Sequence, residues 1–150
     1  WAGGFSARGR RALAALRKLS DGNPLALREL VAGALESGAL VEDTDGWHLS
    51  RALPVTPRLT DLVMERLGSL NAAESEALEL VALGEPVPLD LLEGLARPEA
   101  IEALERRGLL QVRQDGENLD VYLAHPLHGE VVRSSIGTLR TRNVLRSLAA

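Results

Sequence analysis

Apolar residues recur at helical spacing through the first half of the chain, and turn-forming residues separate the segments. From about Ala7 to Leu19 the apolar positions include Leu13 and Leu16, which predicts an amphipathic helix with a basic outer side. The turn formers of Ser20-Asp21-Gly22-Asn23 then break the pattern. The first helix is therefore expected to end at about residue 19.

The clearest helix follows the pair Asn23-Pro24. Asparagine suits the N-cap, and proline suits the first helical position, where its missing N–H costs nothing. One face then carries apolar residues at helical spacing, namely Leu27, Leu30, Val31, Ala34 and Leu35. Gly38 is the predicted stop of this helix.

A hairpin and two helices are predicted next. The hairpin covers about residues 39–49, with the Asp45-Gly46 pair at its turn. Thr56-Pro57 repeats the cap-plus-proline signal and opens a second strong helix. Asn71 and Glu74 have the spacing of a capping box, which starts a third strong helix reaching about Leu83. The apolar face expected for the helix after Thr56 is Leu59, Leu62, Val63, Leu67 and Leu70.

Shorter elements follow residues 84–88. The pattern predicts helices over 89–95 and 98–107, two strands over 109–113 and 119–123 with Asp115-Gly116 at their turn, and helices over about 125–136 and 138–149. Three helices followed by a two-stranded wing give the element order of a winged helix. The predicted fold is mainly α: a helical domain over 1–70, a winged-helix domain over 71–137, and the start of a following helical module over 138–150.

Composition narrows the possible functions. The 150 residues include no cysteine, which excludes disulfides, thiolate zinc sites and thiol nucleophiles. No run of about 18 apolar residues is present, so no membrane span is expected. The first residue is Trp1 rather than Met, no signal-peptide pattern follows, and the start up to about Gly4 is expected to be frayed. We therefore expect a piece of a longer cytoplasmic protein.

Charge is distributed unevenly. Residues 1–71 hold nine basic and eight acidic side chains, residues 72–137 hold five and thirteen, and residues 138–150 hold three and none. A middle segment with a net charge of −8 would repel a phosphate backbone. The basic start and end fit either partner-facing helices or solvated faces.

Motifs for an independent active site are missing from the sequence. The chain has no Gly-x-x-x-x-Gly-Lys-Ser/Thr phosphate loop and no His-Glu-x-x-His zinc pair. Its histidines are His48, His125 and His128, and the last two would share one helical face if Pro126 opens a helix. A metal site there would need further ligands, and Glu130 belongs to a different part of the turn. The chain alone is not expected to be an enzyme.

The predicted winged helix does not look suited to DNA. Its recognition helix would cover residues 98–107 and would present Glu99, Glu102 and Glu105 to a major groove. That helix has no Asn or Gln for base edges, and its two arginines come at its end. A winged helix used for packing is the better interpretation.

Two stretches carry a family resemblance: Gly22-Asn23-Pro24-Leu25-Ala26-Leu27-Arg28-Glu29-Leu30 and, about a hundred residues later, Tyr122-Leu123-Ala124-His125-Pro126-Leu127-His128-Gly129-Glu130-Val131-Val132. In this order they resemble the region after the nucleotide-binding core in signal-transduction ATPases of the AAA-related STAND class. The similarity is greatest to large ATP-binding transcriptional regulators of the LuxR family. It covers most of residues 20–150.

The resemblance implies roles for three residues. In that family a turn that matches Asn23 and Pro24 of this chain belongs to a helical lid domain. The proline of that turn packs near the adenine of bound ADP or ATP. A histidine after the second wing strand, here His125, reaches the nucleotide phosphates in the ADP-bound state. The chain departs from the Met-His-Asp of plant and animal relatives, because Ala124 and Pro126 flank His125. From the residues alone, Pro24 could simply start a helix and His125 could be a local cap.

The implied function is that of the regulatory middle of a nucleotide-gated transcriptional regulator. ADP or ATP would be bound in the full-length protein by a P-loop domain before Trp1, and DNA by a helix-turn-helix after Ala150, with oligomerisation on activation. The alternative is a winged-helix module that binds protein or DNA with no nucleotide role. In that case Arg140, Arg142 and Arg146 would contribute to DNA binding. An enzyme built on His125 and His128 is a more distant third possibility.

Overall fold

The computed structural model describes residues 6–150, which form eight helices and five strands. The expectation of a frayed start falls on the first five residues and lies outside the described part. The helices are α1 (Ala7–Ser20), α2 (Pro24–Glu36), α3 (Pro57–Leu67), α4 (Ala72–Gly84), α5 (Leu89–Leu95), α6 (Pro98–Arg106), α7 (Pro126–Ser135) and α8 (Thr138–Ala149). The strands are β1 (Leu40–Asp43), β2 (Gly46–Leu49), β3 (Val87–Pro88), β4 (Leu110–Asp115) and β5 (Asn118–Leu123). The predicted mainly α fold is confirmed.

The chain divides into two compact units, and the border between them follows Met64, inside α3. The first unit contains α1, α2, the β1–β2 hairpin and most of α3. The second contains the remaining elements, and α8 is part of it.

Capping residues set the ends of the first two helices. The Ser6 hydroxyl accepts a hydrogen bond from the Gly9 N–H at 3.1 Å, and Asp21 ends α1 in the left-handed conformation with φ of 48°. At the start of α2 the side chain of Asn23 accepts backbone hydrogen bonds, and Pro24 occupies the first turn. The predicted cap-plus-proline start of α2 is therefore confirmed.

Small residues form much of the buried side of α1 and α2. Leu13 and Leu35, which the pattern places on the apolar faces, are 40% and 46% exposed. The buried positions are Gly9, Ala12, Leu16 and Ser20 in α1 and Ala26, Leu30, Gly33 and Ala34 in α2. The predicted faces were wrong at those two leucines because α1 packs closely against α2 and β2.

The hairpin differs from its prediction by one position. Asp43 pairs with Gly46, so the two turn residues are Thr44 and Asp45, and Gly46 already belongs to β2. The Asp43 carboxylate accepts a hydrogen bond from the Asp45 N–H at 2.8 Å, which stabilises this turn.

Helix α3 starts as predicted and ends earlier. The Thr56 hydroxyl accepts a hydrogen bond from the Leu59 N–H at 3.2 Å. The helix stops at Leu67 because Gly68 takes a φ of +66°. Leu70, expected on the apolar face of this helix, therefore lies outside it.

The second unit has the topology of a winged helix. Its elements run α4, β3, α5, α6, β4, β5, and the sheet order is β3-β5-β4 with both pairs antiparallel. The predicted capping box of α4 is present, with Asn71 and Glu74 each accepting from the other's backbone N–H. The sheet has a third strand that the sequence did not indicate, because β3 contributes only Val87 and Pro88. The hairpin turn consists of Gly116 and Glu117, one position later than predicted.

Helix α8 packs on α4 within this unit. Val144 is buried, and the Arg140 Nε donates to Glu79 at 2.6 Å, with Glu76 also near the guanidinium at 3.6 Å. The hydrogen bond to Glu79 raises the pKa of Arg140 above its ordinary value. Arg140 is therefore held by carboxylates of its own unit.

Candidate functional site

The start of α2 places Asn23 and Pro24 side by side. Asn23 has extended backbone, and its Oδ1 accepts from the N–H groups of Leu25 at 3.0 Å and Ala26 at 3.3 Å. The Leu27 N–H donates to the Asn23 carbonyl at 2.9 Å, and Pro24 has no N–H. The backbone donors of this helix start are thus already used, so it is poorly suited to bind an anion.

The same helix start presents apolar surface instead. The Pro24 ring is exposed, and the neighbouring Leu25 side chain is 58% exposed. A proline ring has a fixed φ and loses little entropy when it packs against a flat ligand. The geometry favours an apolar contact at Pro24 over a polar one at Asn23.

The junction between β5 and α7 positions His125. Strand β5 ends at Leu123, Pro126 occupies the first turn of α7, and His125 is the N-cap residue with extended backbone (φ −128°, ψ 121°). Within the described residues, its imidazole makes no capping hydrogen bond to α7. The structure therefore does not support the interpretation of His125 as a local capping histidine.

The ring of His125 packs against that of His128. Their centroids are 4.7 Å apart and the planes are inclined by 62°, an edge-on contact. His128 is 5% exposed, and His125 is half-buried. The prediction that Pro126 opens the helix and brings both histidines together is confirmed. The His125 ring therefore lies against the buried His128 ring.

These histidines do not form part of a metal cluster. Across residues 6–150 no group of three or more His, Asp or Glu side chains is arranged to hold a metal ion. Glu130, the nearest acid along the chain, instead accepts from Arg133 at 2.7 Å.

Three residues that sequence reasoning missed hold the β5–α7 junction in place. The Glu85 carboxylate accepts from the Leu123 N–H at 3.0 Å, and the Arg133 guanidinium donates to the Ala82 carbonyl at 2.7 Å. Both interactions attach the junction to the end of α4. Gly129 lies so close to Leu123 that a Cβ atom there would be 2.6 Å from the Leu123 Cδ1 atom.

A second missed cluster surrounds Arg107, just after α6. Its guanidinium donates to the carbonyls of Leu67 and Ser69 and to the Glu74 carboxylate, the last two at 3.2 and 3.1 Å. Sequence analysis placed Arg107 only at the end of the predicted recognition helix. The structure instead makes it the connection between the end of α6 and the chain that leads into α4.

The predicted recognition helix, α6, carries exposed carboxylates. Glu99, Glu102 and Glu105 are all exposed on it. Because phosphate groups repel carboxylates, this surface does not suit a DNA duplex. The arginines proposed for the DNA-binding alternative are reduced to Arg142 and Arg146, since Arg140 pairs with Glu79.

The predicted site residues fall into two local groups. Asn23 and Pro24 lie together in the first unit, and His125 lies in the second beside His128. Comparison with protein-family models and with curated proteins gives no match for this chain. In residues 6–150, no helix combines the length and apolar character needed to traverse a bilayer.

Proposed function

We propose that the chain is the regulatory region of a nucleotide-gated transcriptional regulator. In this proposal the first unit acts as a helical lid and the second as a winged helix. Both contact ADP or ATP held by a P-loop domain that precedes them in the full-length protein. A helix-turn-helix domain after this region binds DNA, and activation involves oligomerisation. The chain itself has no hydrolytic activity.

The observation that carries the proposal is the placement of His125. The residue follows the last wing strand, stands at the N-terminus of α7, and does not cap that helix. Its ring lies edge-on against the ring of the buried His128. An imidazole N–H at a helix start is a suitable donor to phosphate oxygens, because the helix dipole adds to the attraction.

The start of α2 supplies the complementary contact. Pro24 and Leu25 offer an exposed apolar surface. The Asn23 side chain accepts hydrogen bonds from the nearby backbone N–H groups. This combination suits the face of an adenine ring rather than a phosphate. Asn23 then contributes by holding Pro24 in position.

A switch requires contacts that differ between its two states. We assign the His125 contact to the closed, ADP-bound state, so that loss of this contact accompanies exchange for ATP. Because this coupling is reciprocal, the closed state in turn has a higher affinity for ADP than for ATP.

The test uses the full-length protein as purified. Wild type, His125→Ala and His48→Ala are denatured, and the released nucleotide is quantified by chromatography. We expect near-stoichiometric ADP in wild type and in His48→Ala, since His48 lies on the β2 strand and has no role in the proposal. His125→Ala should retain little ADP.

Two other results would count against the proposal. Equal ADP in all three proteins would show that His125 does not hold the nucleotide. Absence of any nucleotide from wild type, together with no binding of added ADP, would favour a winged-helix interaction module.

A further inference from the structure

The outer side of α8 exposes apolar and positively charged residues together. The α8 outer face consists of Leu139, Arg142, Leu145 and Arg146, which are all exposed. At 3.6 residues per turn these four side chains fall within an arc of about 120°, on the side of the helix away from the buried Val144. Leu139 is 77% exposed, the largest value among the large apolar side chains of the described part of the chain. The face is therefore amphipathic and lacks an apolar cover.

The positive charge of this face is not balanced within its own unit. Arg142 and Arg146 lie one turn apart, and neither side chain forms a hydrogen bond or an ion pair with any described residue. Arg140, on another side of the same helix, is instead held by Glu79. Because α8 contains no acidic residue, both free guanidinium groups can pair with carboxylates of a partner.

A negative surface of similar size lies on α6 of the same unit. The α6 acidic face consists of Glu99, Glu102 and Glu105, which are exposed and form no ion pair with the described residues. These side chains also fall within an arc of about 120°, over about 9 Å of the helix. The exposed Arg106 lies in the same arc, so three carboxylates and one guanidinium leave the face negative.

The α6 acidic face holds more unpaired carboxylates than any other described helix. Helix α4 also carries three glutamates, but Arg107 and Arg140 already pair with them. The unpaired positive charge of α8 and the unpaired negative charge of α6 therefore belong to the same unit, where each lacks a partner.

We propose that the α8 outer face docks on the α6 acidic face of a second copy of this chain. Arg142 and Arg146 pair with glutamates of the second copy, since guanidinium and carboxylate groups form bidentate hydrogen bonds. Docking also removes Leu139 from water, which adds an apolar contribution to the contact. This surface shares no residue with Pro24 or His125, so the proposal can fail or hold independently of nucleotide gating.

Charge complementarity favours a second copy over a nucleic acid. Residues 72–137 hold five basic and thirteen acidic side chains, so the body of this unit repels a phosphate backbone. The same acidic body attracts the positive face of another copy. Leucines occupy two of the four positions of the α8 outer face and offer no donor to phosphate oxygens.

The contact is small, so we expect weak association. Helix α8 is about 18 Å long, and a single pair of such helices buries less than the roughly 1,200 Å² of a standard interface. A dissociation constant of about 0.1 mM is therefore expected at low salt.

The experiment is sedimentation equilibrium of the 150-residue chain, from about 10 μM to about 1 mM protein, a range that brackets the expected dissociation constant. In about 50 mM salt the weight-average mass should rise above 16.1 kDa with concentration, and about 1 M salt should reverse the rise by screening. Arg142→Glu/Arg146→Glu and Glu99→Arg/Glu102→Arg should each weaken association by about tenfold or more. An equimolar mixture of these two variants should associate like wild type, because each reversed face then meets its complement.

The matched control is Arg11→Glu/Lys18→Glu, at exposed positions of α1. Like the α8 double variant, it changes the net charge of the chain from −4 to −8, so general repulsion is the same in both. The control should associate like wild type, whereas Leu139→Ala should weaken association by about tenfold through lost apolar burial. Circular dichroism melting shows whether each variant keeps its fold.

Several outcomes would overturn the proposal. A wild-type chain that stays monomeric at about 1 mM in low salt would exclude this contact between copies. Equal weakening in the α1 control would show that net charge alone governs association. Failure of the mixed variants to associate, or weakening by the α8 variant without weakening by the α6 variant, would show that the two faces do not meet.

Discussion

Gly129 shows how a single residue can determine the geometry of the candidate site. A Cβ at this position would lie 2.6 Å from the Leu123 Cδ1 atom and 3.0 Å from the Arg133 Nη2 atom. Leu123 is buried, and Arg133 is held by the Ala82 carbonyl, so neither side chain can move away easily. The close approach of α7 to β5 therefore favours glycine at this position.

We predict that Gly129→Ala lowers the free energy of unfolding by about 1 to 2 kcal/mol. Overpacking costs about 1 to 3 kcal/mol, and the better helix propensity of alanine offsets part of it. Gly94→Ala, in α5, is the matched control, because a Cβ there meets no atom within 4 Å. That change should be neutral or stabilising by up to about 1 kcal/mol. Urea unfolding measures both, and equal stability of the two variants would refute the packing argument.

The contacts of the site that the sequence predicts are those between residues close together along the chain. Asn23 is recognisable as a cap because its side chain acts on N–H groups two and three residues away. The contact between His125 and His128 is similarly predictable from a three-residue spacing on a helix. Glu85 and Arg133 were missed because their partners, Leu123 and Ala82, lie 38 and 51 residues away along the chain.

At the scale of elements, local rules placed the helix ends better than the buried faces. The capping box at Asn71 and Glu74 and the helix start at Pro24 agree with the structure because both depend on neighbouring residues. Leu13 and Leu35 were wrongly placed in the core because close helix packing selects small residues for the contact. Strand β3 was missed because two residues cannot show an alternating pattern, and pairing with β5 defines it.

Arg107 connects two helices of the second unit. Its guanidinium joins the end of α6 to the backbone at Leu67 and Ser69 and to the Glu74 carboxylate at the start of α4. The neighbouring Arg106 is exposed and makes no such contact within the described residues.

We predict that Arg107→Ala destabilises the protein by about 1 to 3 kcal/mol, because carbonyl acceptors and a carboxylate lose a charged donor. Arg106→Ala should change stability by no more than about 0.5 kcal/mol. Chemical denaturation measures the free energy of unfolding of both variants. A loss at Arg106 as large as that at Arg107 would mean that charge, rather than the specific connection, stabilises this region.

At the scale of the whole molecule, charge separates the two units. The second unit carries most of the acidic residues and exposes three glutamates on α6, whereas α1 of the first unit carries only positive charge. The carboxylates of the second unit therefore oppose nonspecific attraction to a phosphate backbone there.

In the proposed function, one residue from each unit contacts the same nucleotide. Pro24 and His125 must then both affect the affinity for ADP in the full-length protein. Each has a matched control in the same chain: Pro57 occupies the first turn of α3 as Pro24 does in α2, and His48 lies on β2.

The most direct measurement is therefore the equilibrium dissociation constant for ADP and for ATP of the nucleotide-free full-length protein and its four single alanine variants. We expect Pro24→Ala to weaken the binding of both nucleotides by about tenfold, which corresponds to about 1.4 kcal/mol. His125→Ala should weaken ADP by at least as much and ATP less, while Pro57→Ala and His48→Ala match wild type. Unchanged ADP affinity in both Pro24→Ala and His125→Ala would show that neither residue contacts the nucleotide.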